Sequence, residues 1–133
     1  MEIKEILNNF SKARIAVVGD VMLDSYVYGN VERVSPEAPV PVVKINKEIF
    51  ELGGAGNVAE NVSSLGGEVC LFGYIGNDQA GKILLDKLNE YKIKNHLFPV
   101  LRETIQKTRI VGNNQQITRI DKEERIILTK EIE

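Results

Sequence analysis

Tryptophan is absent, and cysteine and histidine occur once each, as Cys70 and His96. One cysteine excludes an internal disulfide and any cysteine-rich zinc module. One histidine leaves a histidine-built metal centre or a Ser-His-Asp triad resting on a single residue. Cys70 lies in the apolar run Val69-Cys70-Leu71-Phe72, the setting of a small buried hydrophobe and not of a reactive thiolate. His96, between Asn95 and Leu97, reads as surface or partly buried filler. No apolar run approaches the ~18 residues of a membrane span. The opening Met1-Glu2-Ile3-Lys4-Glu5 lacks the basic and apolar stretches of a secretory signal, so the cytoplasm is the default expectation. Neither sign of charge dominates: 17 Lys and Arg against 19 Asp and Glu leave a formal charge of −2. With the signs mixed along the chain, neither nucleic acid nor a membrane is an expected partner.

The 133 residues are 43% hydrophobic and 27% charged, the composition of a soluble globular domain or a piece of one. Ile3, Ile6, Leu7 and Phe10 predict a short amphipathic helix. Ile15-Ala16-Val17-Val18-Gly19 reads as a strand buried on both faces, as in a parallel sheet. Asp20 to Tyr28 reads as extended chain ending in a turn at Gly29-Asn30. Three of the four prolines, Pro36, Pro39 and Pro41, fall in the next stretch. Proline cannot donate to a ladder, so Val40 to Ile45 is predicted to be an edge strand of a second, smaller sheet. Gly53-Gly54-Ala55-Gly56 opens a helix on which Ala55, Val58, Ala59, Val62 and Leu65 recur, and Gly66-Gly67 stops it. Glu68 to Ile75 reads as a second buried strand. Asn77 or Asp78 caps a helix carrying Ala80, Leu84, Leu88 and Tyr91 on one face, and Asn95 to Val100 is a third strand. Strand, helix, strand, helix, strand predicts βαβ units. Thr104 to Lys122 predicts a hairpin turning at Gly112-Asn113-Asn114. Thr129 reads as the N-cap of a helix broken off after one turn, which a nucleation cost makes unstable alone; the expectation is therefore the N-terminal part of something longer.

Three places carry chemistry. The glycines from Gly53 to Gly56 ahead of a helix let backbone N–H groups approach a ligand, with or without phosphate, unless they serve only as a turn. No Lys-Ser/Thr pair follows, so this is not a P-loop. Gly54, Gly56 and Ala59, with Asp78 downstream, formally satisfy the dinucleotide fingerprint, but the charged, proline-flanked segment ahead is not the buried parallel strand that motif follows. Asp20 and Asp24 stand just after the first strand, where open α/β sheets bind ligands, and their carboxylates suit sugar hydroxyls. Asn113, Asn114, Gln115 and Gln116, between Arg109 and Arg119, suit a polyhydroxyl ligand bearing phosphate, or are a solvated hairpin tip.

The run Gly53, Gly54, Ala55, Asn57, Ala59, Gly66 and Gly76 resembles the first signature of the ribokinase (carbohydrate kinase) family. GDVMLDSYVYG from Gly19, RVSPEAPVPVVK from Arg33 and NNQQITRID from Asn113 resemble its D-glycero-β-D-manno-heptose-7-phosphate kinase branch, found fused in bifunctional ADP-heptose synthases. The resemblance implies an α/β fold, a three-layer α/β/α core with a small β-sheet lid, and residues 1–133 as the N-terminal portion of one sugar-kinase domain. It implies ATP- and Mg2+-dependent phosphorylation of the anomeric hydroxyl of a heptose 7-phosphate on the route to lipopolysaccharide. Asp24 resembles the family's sugar-hydroxyl acceptor; Gly53, Gly54 and Asn57 resemble its sugar-binding turn. Asp20, Arg109, Asn113 and Arg119 join them as candidate substrate-binding residues, and Arg33, Lys44, Arg109 and Arg119 compete for the 7-phosphate. The lid would span about 21–47 and 104–121 and would pair a homo-oligomer. The family's catalytic Asp follows a Gly-Ala-Gly run in the C-terminal half. Here Gly54-Ala55-Gly56 is followed by Asn57, so the segment carries no base, and it is expected to bind no ATP or metal and to be inactive alone. The alternatives are another sugar or nucleoside kinase of the family, and a non-catalytic strand-pairing dimerisation module.

Overall fold

The computed structural model describes residues 3–124. The Thr129 cap lies outside them. A short helix α1 (Ile3–Asn8) and a single 3-10 turn (Phe10–Lys12) lead into β1 (Arg14–Val18). Two long strands follow, β2 (Val21–Val34) and β3 (Pro41–Gly54), then α2 (Ala55–Ser64), β4 (Glu68–Gly76), α3 (Gln79–Glu90) and β5 (Lys94–Val100). The hairpin β6 (Ile105–Gly112) and β7 (Gln115–Lys122) closes the described part.

The strands form two sheets. A parallel three-stranded sheet has the order β1-β4-β5, and a four-stranded sheet has the order β3-β2-β6-β7. Period-two burial along β2 links them: Val21, Leu23, Ser25, Val27 and Gly29 point inward and are buried, while Met22, Asp24, Tyr26 and Tyr28 point the other way. The inward set joins Leu52 of β3, Ala59 of α2, Val69, Leu71 and Ile75 of β4, and Leu84 and Leu88 of α3 in one core. Leu23, Leu71, Leu84 and Leu88 are completely buried. Each contributes about 1.5–3 kcal/mol by leaving water.

Local chemistry sets the helix ends. The Asp78 carboxylate caps α3 by accepting the Gly81 N–H at 2.8 Å. At the end of α2, the Gly67 N–H returns to the Val62 carbonyl at 3.0 Å. Val58 and Leu65 are exposed, so the buried stripe of α2 is narrower than its apolar spacing predicts.

Three expectations need correction. Ile15 to Val18 form a parallel strand but are not buried on both faces. Among the described residues their strand is paired only with β4, and Ile15 and Val18 are 42% and 78% exposed. An apolar run reports the burial a strand is suited to, not the neighbours it has. Second, Gly29-Asn30 is not a turn. β2 runs through it to Val34, with a register shift beside Gly29, and the chain reverses after Ser35 instead. A Cβ on Gly29 would stand 2.4 Å from the Lys44 carbonyl oxygen, so glycine marks close approach of β3 there. Third, the edge strand predicted for Val40 to Ile45 is real but continues to Gly54, with Pro41 at its first position, where a missing N–H costs nothing. In α1, Ile3 and Leu7 are exposed, so its predicted apolar face is not covered by the described residues.

Candidate functional site

The outward face of β2 carries the candidate residues. Asp24 stands opposite Glu51 of β3 and Lys107 of β6. Because β2 pairs with β6 in parallel, Tyr26 lies opposite Arg109. The Arg109 side chain reaches diagonally to Asp24, and its Nη1 donates to Asp24 Oδ1 at 2.9 Å. Its guanidinium lies over the Tyr26 ring, 5.1 Å from the centroid, and Tyr26 stacks on Tyr28 at 6.3 Å. The side chains of Arg109 and Asp24 are only 22% and 20% exposed. The hydrogen bond to Asp24 outweighs burial, and the Arg109 guanidinium holds its proton more tightly than usual.

The glycine turn meets this carboxylate. A Cβ on Gly53 would lie 2.7 Å from Met22 Cγ and 3.0 Å from both Cγ and Oδ2 of Asp24, so the absence of a side chain lets the carboxylate rest close to that turn. Gly54 follows with φ +56° and ψ −128°, a conformation reserved for glycine. The bend turns β3 into α2, and the Ala55 N–H donates to the Asp20 carbonyl at 2.9 Å. Asp20 thus ties the start of α2 to the end of β1 through its backbone, while the residue itself is exposed. Asn57 is exposed in the first turn of α2, where its Oδ1 accepts from Asn61 at 3.2 Å.

Asp24, Gly53, Gly54 and Arg109 therefore converge, with Asn57 and Asp20 beside the turn. Two other residues are engaged elsewhere. Arg119 stands opposite Arg109 in the hairpin, but its guanidinium grips Asp121 twice, at 2.8 and 2.9 Å. Asn113, at φ +49°, binds both the N–H and the carbonyl of Val31 at 3.2 Å, fastening the hairpin tip to β2. Arg33 and Lys44 line a separate cavity with Asn30, Glu32 and Val42. Asn30, opposite Lys44, is six positions along β2 from Asp24, about 20 Å at the rise of a strand. Sequence reasoning passes over Tyr26 and Lys107. The signal for Tyr26 was its two-residue offset from Asp24; for Lys107, only the strand register shows it.

Among the described residues, no three His, Cys, Asp or Glu side chains are grouped to hold a metal ion. The dinucleotide reading fails, because the strand ahead of the glycines is antiparallel to its neighbour and belongs to the outer sheet. Among the described residues, no helix is long and apolar enough to cross a membrane.

The chain is similar to known proteins along nearly its whole length. The description "pfkB family carbohydrate kinase" matches residues 12–125. Two curated relatives are called "Bifunctional protein HldE". The one from Campylobacter concisus is 50% identical over 113 residues, covering 84% of this chain and 24% of the relative. The one from Pelobacter propionicus is 43% identical over 133 residues, covering 98% of this chain and 27% of the relative. The chain thus spans about a quarter of the length of these relatives. Among solved structures, a carbohydrate kinase from Agrobacterium tumefaciens superposes with a TM-score of 0.68 at 25% identity, covering 83% of this chain and 35% of that one. Phosphofructokinase-2 from Escherichia coli, in complex with fructose-6-phosphate, gives 0.63 at 22% identity, covering 82% and 34%. The fold is the ribokinase-like α/β fold. The chain belongs to the pfkB family of carbohydrate kinases.

Proposed function

We propose that the chain is the sugar-binding and lid part of an ATP-dependent heptose-7-phosphate kinase, acting on the anomeric hydroxyl in the making of ADP-heptose for lipopolysaccharide. The observation that carries this is the Asp24 carboxylate lying against the Gly53–Gly54 turn. Asp24 accepts a hydrogen bond from a ring hydroxyl, and the glycines and Asn57 line the cradle without side-chain bulk. The outer sheet, whose strands fall within 21–54 and 105–122, supplies the lid. Asp20, Arg109, Asn113 and Arg119 complete the proposed substrate-binding set, the last two by shaping the hairpin. ATP, Mg2+ and the catalytic base belong to the remainder of the enzyme, and the cytoplasm is its proposed compartment. The heptose branch is favoured by curated relatives 43–50% identical that are called "Bifunctional protein HldE".

The test is an NMR titration of the chain with D-glycero-β-D-manno-heptose 7-phosphate. Asp24→Asn is expected to weaken binding by about 10- to 100-fold, the worth of a hydrogen bond to a charged group. Unchanged binding in that variant, with its fold intact, would refute the assignment. A coupled assay of ADP release should show no turnover by the chain; turnover at enzyme-like rates would overturn the proposal that the segment is inactive alone.

A second reading, strand-paired dimerisation, is favoured by β7, which among the described residues is an edge strand exposed along its whole length, with Ile120 58% exposed. Light scattering distinguishes the two: a dimer disrupted by Ile120→Lys supports pairing, and a monomer at all concentrations removes it.

A further inference from the structure

We propose that Arg109 is a positioning residue, which fixes the Asp24 carboxylate so that one oxygen is spent on the protein and the other is presented to a sugar hydroxyl. This rests on the reading of Asp24 as the hydroxyl acceptor. The two oxygens have different surroundings. Oδ1 takes the Arg109 Nη1 hydrogen bond at 2.9 Å, while Oδ2 borders the space that a side chain on Gly53 would fill. Arg109 is itself held, because its guanidinium rests on Tyr26 and Tyr26 stacks on Tyr28. An aspartate without such a partner samples several rotamers, and binding a ligand then costs that freedom. With Arg109 in place, the freedom is already lost before the ligand arrives. The pair is largely screened from water, which strengthens it over a solvated surface pair.

The competing role for Arg109 is direct contact with the substrate phosphate, and the two roles differ in a measurable way. A residue that orients Asp24 acts on the sugar ring, whether or not phosphate is attached. A phosphate ligand acts only on the phosphorylated sugar. The experiment is a pair of NMR titrations of the 15N-labelled chain, one with D-glycero-D-manno-heptose and one with its 7-phosphate. The variants are Arg109→Met, Arg109→Lys, Tyr26→Leu and Asp24→Asn.

Arg109→Met is expected to weaken both ligands by the same factor, on the order of tenfold, as for one charge-assisted hydrogen bond. Arg109→Lys restores part of the loss, since an ammonium gives the charge without the planar fork. Tyr26→Leu leaves both charges and is expected to give a smaller loss, again equal for the two sugars. If Arg109→Met fails to give a folded amide spectrum, Arg109→Lys and Tyr26→Leu carry the comparison. A loss confined to the 7-phosphate, or no loss for either sugar, overturns the proposal. Asp24→Asn separates the two levels of argument. If it abolishes binding while the Arg109 variants bind normally, only the positioning role falls. If it changes nothing, or if the unaltered chain binds neither sugar, the hydroxyl-acceptor reading falls and takes this inference with it.

Discussion

Gly54→Ala is expected to lower stability by about 2–4 kcal/mol, measured as a shift in the urea midpoint at constant slope. Two independent effects add. The backbone at φ +56°, ψ −128° is closed to residues with a Cβ, and forcing one there costs about 1–3 kcal/mol. The new methyl would also sit 2.4 Å from the Asp20 carbonyl oxygen. That oxygen cannot simply withdraw, because it accepts the Ala55 N–H that starts α2, a bond worth about 1 kcal/mol. The same strain would move the turn against which Asp24 rests, so whatever folds is expected to bind sugar poorly. A loss below about 1 kcal/mol would show that the bend relaxes freely and that Gly54 is not required by the backbone.

Asp78→Ala is expected to cost about 2–4 kcal/mol, because one carboxylate holds two elements at once. Its Oδ1 accepts from the Gly81 N–H at 2.8 Å and the Thr104 hydroxyl at 2.7 Å, and its Oδ2 accepts the Thr104 N–H at 2.9 Å. Thr104 is buried, and its Oγ1 also takes the Gly76 N–H at 3.0 Å. Since β6 begins at the next residue, this network anchors the base of the outer sheet to the end of β4 and the start of α3. Thr104→Val should cost about 1–3 kcal/mol by leaving the buried Gly76 N–H unpaired, and Thr104→Ser should recover most of it.

The same residue gives a pH dependence. Burial pushes the Asp78 carboxyl up, but the hydrogen bonds from Gly81 and Thr104, with Lys122 nearby, outweigh it and leave its pKa below the ordinary carboxylate value. A folded pKa below the unfolded one of about 3.9 means the native state holds its proton more weakly. The stabilisation is therefore complete above the unfolded value and lost as pH falls through the depressed folded value. Denaturant unfolding followed from neutral pH into acid should show a shallower acid decline in Asp78→Asn. An unchanged decline would mean that other carboxylates dominate it.

Most of the core fold was legible because its signals are local. The Asp78 cap, the glycine stop after α2, the Asn113-Asn114 turn and the spacing of Leu84 and Leu88 each involve residues within a few positions of one another. The edge character of β3 followed from proline chemistry in the same way. The misreadings at Gly29 and at Ile15 to Val18 share a different cause. Glycine serves a turn and a close strand approach equally well, and a run of Ile, Ala and Val suits a buried strand whether or not a neighbour is present. Asp24 and the glycines were legible as separate motifs; their contact, and the part of Tyr26, were not.

The order of elements, the helix caps, the hairpin and the family were determined by the amino-acid sequence alone, since short-range sterics and hydrogen bonding act between near neighbours. The tertiary structure decided the rest. It paired β2 with β6 in parallel, gave β1 no partner but β4 among the described residues, and closed the Arg109–Asp24 contact across 85 positions. Such contacts depend on how strands from distant parts of the chain register against one core. No local pattern encodes that register, because its energy comes from the Val21, Leu23 and Leu52 side chains they bury together.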